Sequence, residues 1–161
     1  MERHQNLAHS IGLLILRLGI GGYMLTHGWG KLQMVLAGDF DKFGDPIGLG
    51  SGLSLVLMMM AEFVCSLLVI LGFASRLAAV PLVFAMAVAA LVVHGNDPWT
   101  MGQAAKLFMA GEAASWASKE PALLYLIPFL ALAVAGPGGL SIDRLIWARW
   151  CARPATGAPV T

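Results

Sequence analysis

The sequence predicts an all-α integral membrane protein, a four-helix bundle, and three observations carry that prediction. Apolar residues make up 58% of the chain and charged residues only 12%, against about 45–50% and about 25% in soluble domains. The apolar residues gather into long runs separated by short stretches of Gly, Pro, Asp and Lys. Inside the first run stands an arginine, Arg17, and inside the second a glutamate, Glu62. At 161 residues the chain reads as one unit. A membrane domain over 1–152 is followed by a tail, 153–161, expected to be disordered.

The first span covers about 7–27 and, at about 1.5 Å per residue, crosses a hydrocarbon core of roughly 30 Å. Its glycines, Gly21 and Gly28 among them, would be poor helix formers in water. In lipid, small residues let helix backbones approach, so a packing face is their plain reading. Asp39, Asp41, Lys42, Asp45 and Pro46, then Gly48 to Gly52, mark a loop over 33–52. The second span, 53–73, and the third, 77–94, are joined by Ala74-Ser75-Arg76, a link short enough to make them an antiparallel hairpin. In the 95–121 segment the Ala-rich middle, 103–117, is expected to lie on the membrane as an interfacial helix, touching lipid through Leu107, Phe108 and Trp116. The fourth span, 120–135, is short and carries Pro128, which a membrane helix tolerates with a kink. Ser141 then reads as the N-cap of a C-terminal amphipathic helix, with Asp143 at the positive end of its dipole. Trp147 and Trp150 beside Arg144, Arg149 and Arg153 suit the bilayer interface.

Four spans put both termini on one side. Arg76, Arg144, Arg149 and Arg153 hug the membrane on that side, whereas Lys31, Lys42, Lys106 and Lys119 are spread over the other. The positive-inside rule therefore places both termini in the cytoplasm. A net charge of +1 with no long basic block excludes nucleic acid as a partner; the partner the composition demands is the lipid bilayer. Cys65 and Cys151 form no C-x-x-C, which argues against thiol–disulfide exchange. The N-terminus lacks the basic region and A-x-A site of a cleaved signal peptide. No P-loop, dinucleotide fingerprint, zincin motif or nucleophile elbow is present, so chemistry here has to use groups inside the bundle.

An arginine at the centre of a membrane helix costs about 2.5–3.5 kcal/mol and needs a partner. Arg17 and Glu62 fall near the middles of antiparallel spans, so they are expected to meet as an ion pair near the bilayer midplane. Two readings of the pair stay open. It locks two helices together, although buried pairs often do no better than an apolar substitute, or it floors a polar, proton-responsive pocket. His27 and Lys31, at i and i+4, and His94 form the expected pocket mouth, a cationic rim for an anion or a quinone carbonyl. Two histidines on neighbouring helices are a way to ligate haem or a metal. With no H-x-x-H spacing and no supporting carboxylate, no metal site is assigned, and a hydrogen-bonded or wet helix end is the plainer reading of each. Cys65, one turn from Glu62, reads as a small apolar filler. Met58-Met59-Met60 points around three sides of a helix, unlike a copper site.

Several short motifs stand in order along the chain. They are Leu16-Arg17-Leu18-Gly19-Ile20-Gly21 with His27-Gly28-x-Gly30-Lys31-Leu32; Ala61-Glu62; and Leu71-Gly72-Phe73-Ala74-Ser75-Arg76. Glu120-x-Ala122-Leu123-Leu124-Tyr125 and Gly136-Pro137-Gly138-Gly139-Leu140-Ser141-Ile142-Asp143 follow. With them, from about 13 to 146, the chain resembles DoxX-family membrane proteins. The resemblance implies a four-span, multi-pass protein of the bacterial inner (plasma) membrane. The family takes its name from a subunit of a quinone-linked sulfur-oxidising system, and many members are labelled oxidoreductases. On resemblance alone, then, the chain is an oxidoreductase subunit or accessory of a quinone-linked membrane complex, with no catalytic residue implied. Its expected partners are other membrane or periplasmic subunits, or a second copy in a homo-oligomer. A quinone is the cofactor class the pocket suits, and haem ranks below it. Two other classes stay open: a structural or assembly partner working through the 95–121 loop, and a small proton-linked transporter.

Overall fold

The computed structural model describes residues 2–151, with side chains from 6 to 150, and every regular element among them is helical. The tail expected at 153–161 and Arg153 lie outside the described residues. In chain order come α1 (Glu2–Ala37), a 3₁₀ turn at Phe40–Lys42, α2 (Ser51–Leu71) and α3 (Ser75–Val93). A short α4 (Met101–Met109), α5 (Glu120–Ala135) and α6 (Ile142–Cys151) follow.

By length and hydropathy α1, α2 and α3 can each cross a membrane. The fourth apolar helix, α5, has 16 residues and is about 24 Å long, somewhat less than a bilayer core. Large apolar side chains point outward on each of these helices: Tyr23 is 71% exposed, Leu77 75% and Val134 73%. Surfaces of that kind on every side fit a lipid solvent and would aggregate in water. Within the bundle α1 lies along α2, and α3 packs most extensively on α5. Met24, Val69, Leu82, Phe129 and Leu132 are fully enclosed between them.

The helix ends differ from the sequence reading in two places. The first span, expected to stop near residue 27, continues through Gly28 and Gly30 to Ala37. Gly38, at φ +76°, ends it, with its amide on Val35 O and the Asp39 amide on Met34 O. This is the reciprocal bond pattern of a left-handed cap. The surface helix expected over 103–117 runs instead from 101 to 109. Thr100 and Gln103 form a capping box at its start, and Gly111, at φ +74°, stops it through the same kind of cap. Composition saw the alanines; the left-handed glycine decided the boundary.

Candidate functional site

Gly28 sets the geometry of the site. A Cβ there would stand 2.5 Å from the backbone of Glu62 and Phe63, so only glycine lets α1 touch α2 at this level. One turn further along α1, Lys31 reaches across to Glu62, Nζ to Oε2 at 2.6 Å. Glu62 is only 4% exposed and lies within a π-helical stretch of α2, Met60–Cys65. A second π-helical stretch, Ala89–Val93, ends α3. Such wide turns inside α-helices are frequent at functional sites.

Between these stretches, α1 and α5 is a cavity of about 190 Å³, onto which His27, Glu62, His94 and Tyr125 open. Met24, Met86, Ala89 and Ala122 supply its apolar walls. The His27 and Tyr125 rings meet edge to face, 5.7 Å between centroids, and Phe129 stacks behind Tyr125. His94 Nδ1 lies 2.7 Å from Asp97 Oδ2. A proton on that nitrogen, donated to Asp97, leaves Nε2 as the acceptor of the neutral ring.

Arg17 is elsewhere. The ion pair expected between Arg17 and Glu62 is replaced by Lys31–Glu62, because α1 runs ten residues past its expected end and brings Gly28 level with Glu62. Arg17 is instead level with the end of α2. It is fully buried, donates to Val69 O at 3.5 Å and to Leu140 O, and its Nε has no partner among the described residues. Gly72, at φ +72°, lies directly against it, so a side chain there would collide with the guanidinium. Asp143 holds the same corner together. Its carboxylate accepts from the amides of Ala74 (2.8 Å) and Ser75 (3.3 Å), and its own amide donates to Gly72 O at 3.0 Å. Asp143 therefore caps α3, while Ser141 accepts the Arg144 amide and caps α6. Arg17 belongs to a structural corner that ties the 136–143 segment to the bundle.

Of the residues singled out in the sequence, His27, Lys31, Glu62 and His94 converge on one site and Arg17 does not. Cys65 packs against the core rather than the cavity. Two members were missed as site residues. Tyr125 had a signal in its motif, Glu120 to Tyr125, and Asp97 in its place three residues after His94 within a turn.

The polar groups of the cavity are matched in charge and enclosed by apolar walls. They can hydrogen-bond the polar head of a membrane-soluble molecule and exchange protons with it. The size suits a single ring, since a cavity of about 150 Å³ admits benzene. His27 and Tyr125 supply an imidazole and a phenol as hydrogen-bonding groups, and Met24 and Met86 supply apolar walls.

The DoxX family model matches residues 12–95, more than half of the chain. The chain belongs to the DoxX family. The DoxX match takes in α1 from Gly12 onward, α2 and α3, and with them Arg17, His27, Lys31, Glu62 and His94; Tyr125 and Asp143 lie beyond it. The chain is also similar to inner membrane protein YqjF of Escherichia coli strain K12, at 29% identity over 140 residues, covering 87% of this chain and 95% of the relative. No solved structure matches it. Family membership and the apolar helices together make this a membrane protein.

Proposed function

We propose that this DoxX protein is a subunit or accessory of a redox complex in the bacterial inner membrane, and that its cavity holds the head of a quinone-class molecule. The observation that carries the reading is the buried Lys31–Glu62 pair beside His27 and Tyr125, within helices that otherwise present apolar surface to lipid. A charge pair inside a membrane helix bundle is expensive to keep for stability alone, and here it borders a ring-sized cavity. A bound quinone would supply two-electron, two-proton redox chemistry. The chain would contribute His27 and Tyr125 as hydrogen-bonding groups for the carbonyl oxygens, and Lys31–Glu62 as a charge-neutral store of protons. In this reading both termini face the cytoplasm, with Arg76, Arg144 and Arg149 on that side.

The test is binding of a short-tailed benzoquinone to detergent-purified protein, read by displacement of a fluorescent quinone analogue. His27→Ala and Tyr125→Phe should each weaken binding about tenfold, as expected when removing a buried hydrogen-bond partner costs about 1–3 kcal/mol. Absence of binding to the intact protein removes the reading.

A second reading rests on a different observation. Trp99, Met109 and Trp116 stand exposed on the 95–121 segment, as expected of a surface that assembles with another membrane or periplasmic subunit. Under that reading, deleting 103–117 releases co-purifying proteins and His27→Ala does not.

A further inference from the structure

A second cavity, of about 230 Å³, lies between α2 and α3. Leu57 and Ala61 line one wall, Phe84 and Val88 the other, and Phe43 and Ile47 of the α1–α2 loop close one end. Phe84 is 61% exposed, so the opening faces the surrounding lipid. We propose that this cavity is a binding site for one acyl chain of a phospholipid whose headgroup carries an ammonium.

Size selects a chain over a helix. A helix is about 10–12 Å across with its side chains and packs at about 8–10 Å from its neighbour; it would cover the opening without filling the cavity. A single hydrocarbon chain can enter it. The end wall is fixed, not adaptable. Asp45 accepts from the amides of Leu49 (2.9 Å) and Gly50 (2.8 Å) and from Ser54 Oγ (2.9 Å), which ties the loop to the start of α2. Charge selects the headgroup. In the loop Lys42 is taken up by Asp39 at 2.9 Å, whereas Asp41 is exposed and has no ion-pair partner among the described residues. The loop that closes this end of the cavity, with Asp39, Asp41 and Asp45 against Lys42, is therefore net negative, which repels an anionic headgroup and attracts an ammonium.

The experiment places the full-length protein in nanodiscs containing phosphatidylethanolamine with a photoactivatable diazirine in its acyl chain. Matched phosphatidylglycerol and a diazirine-tailed quinone serve as comparisons, and adducts are mapped by mass spectrometry. Labelling should concentrate on residues 54–61 and 81–88 and favour the ethanolamine lipid. It should fall several-fold in Val88→Trp, which fills the cavity, while labelling of exposed Ile15 on α1 persists. Leu57→Trp, at a lipid-facing position, gives the same readout if Val88→Trp does not fold. Asp41→Asn should erase the headgroup preference. Even labelling around the bundle, or labelling unchanged in both filled variants, overturns the proposal. So do equal labelling by phosphatidylglycerol, preferential labelling by the quinone tail, or protein–protein crosslinks at these positions.

Discussion

Lys31 closes on Glu62 at 2.6 Å, with side-chain exposures of 19% and 5%, and this pair joins α1 to the π-helical part of α2. Removing one partner leaves the other charged in an apolar setting. Lys31→Leu or Glu62→Leu alone should therefore lower stability by about 3 kcal/mol, and the double variant should recover most of that loss. Unfolding in mixed detergent micelles measures both. A double variant as unstable as the sum of the two singles would show that the contact is not an energetic pair.

Three glycines of α1 should respond in a fixed order. Gly28→Ala forces a Cβ to within 2.5 Å of the Glu62–Phe63 backbone, which cannot step aside, and overpacking of this sort costs about 1–3 kcal/mol. Gly21→Ala meets the flexible Ile70 side chain at 2.7 Å and should cost less. Gly30→Ala meets nothing within 4 Å and should be neutral or stabilising, since alanine favours a helix by up to about 1 kcal/mol over glycine. Thermal melts of the three variants in detergent give the ranking.

Arg17 and Glu62 should behave as independent sites. Along α1, Arg17 is about 16 Å from Gly28, the residue that faces Glu62, and effects more than about 7–10 Å apart add within about 0.5 kcal/mol. Arg17→Leu combined with Glu62→Leu should thus equal the sum of the single losses. Because Arg17 binds Leu140 O, its loss should also speed proteolysis near 136–141, an effect that Glu62→Leu lacks. A strong energetic coupling between the two positions would contradict the separation.

The α1–α2 loop should loosen in acid. The Gly50 amide first, with the Ser54 hydroxyl and Leu49 amide, holds the Asp45 carboxyl below the ordinary carboxylate range. A lowered folded value means that the native loop binds fewer protons than the unfolded chain. Its stabilising effect is complete above the unfolded value of about 3.9 and is lost as pH falls through the folded one. The protection of the Leu49 and Gly50 amides against hydrogen exchange, relative to the intrinsic rate at the same pH, should fall below about pH 4. Asp45→Asn should exchange faster at neutral pH and lose the acid step.

Hydropathy and turn residues were enough to read the membrane setting and the helices, and they picked out most of the residues around the cavity. Apolar runs broken by Gly, Pro and Asp are enough to place α2, α3 and α5, because each turn residue acts locally on its own backbone. His27, Lys31, Glu62 and His94 were visible as polar groups out of place in apolar surroundings. Which of them touch was decided by tertiary structure. Depth along a helix can be read from sequence only when the helix end is known, and the first span, expected to end near residue 27, runs on to Ala37. Gly28 stays helical because its missing side chain admits the backbone of α2, a contact between residues far apart in the chain. That contact fixes how α1 and α2 are aligned, gives Glu62 to Lys31, and leaves Arg17 to the carbonyls of Val69 and Leu140.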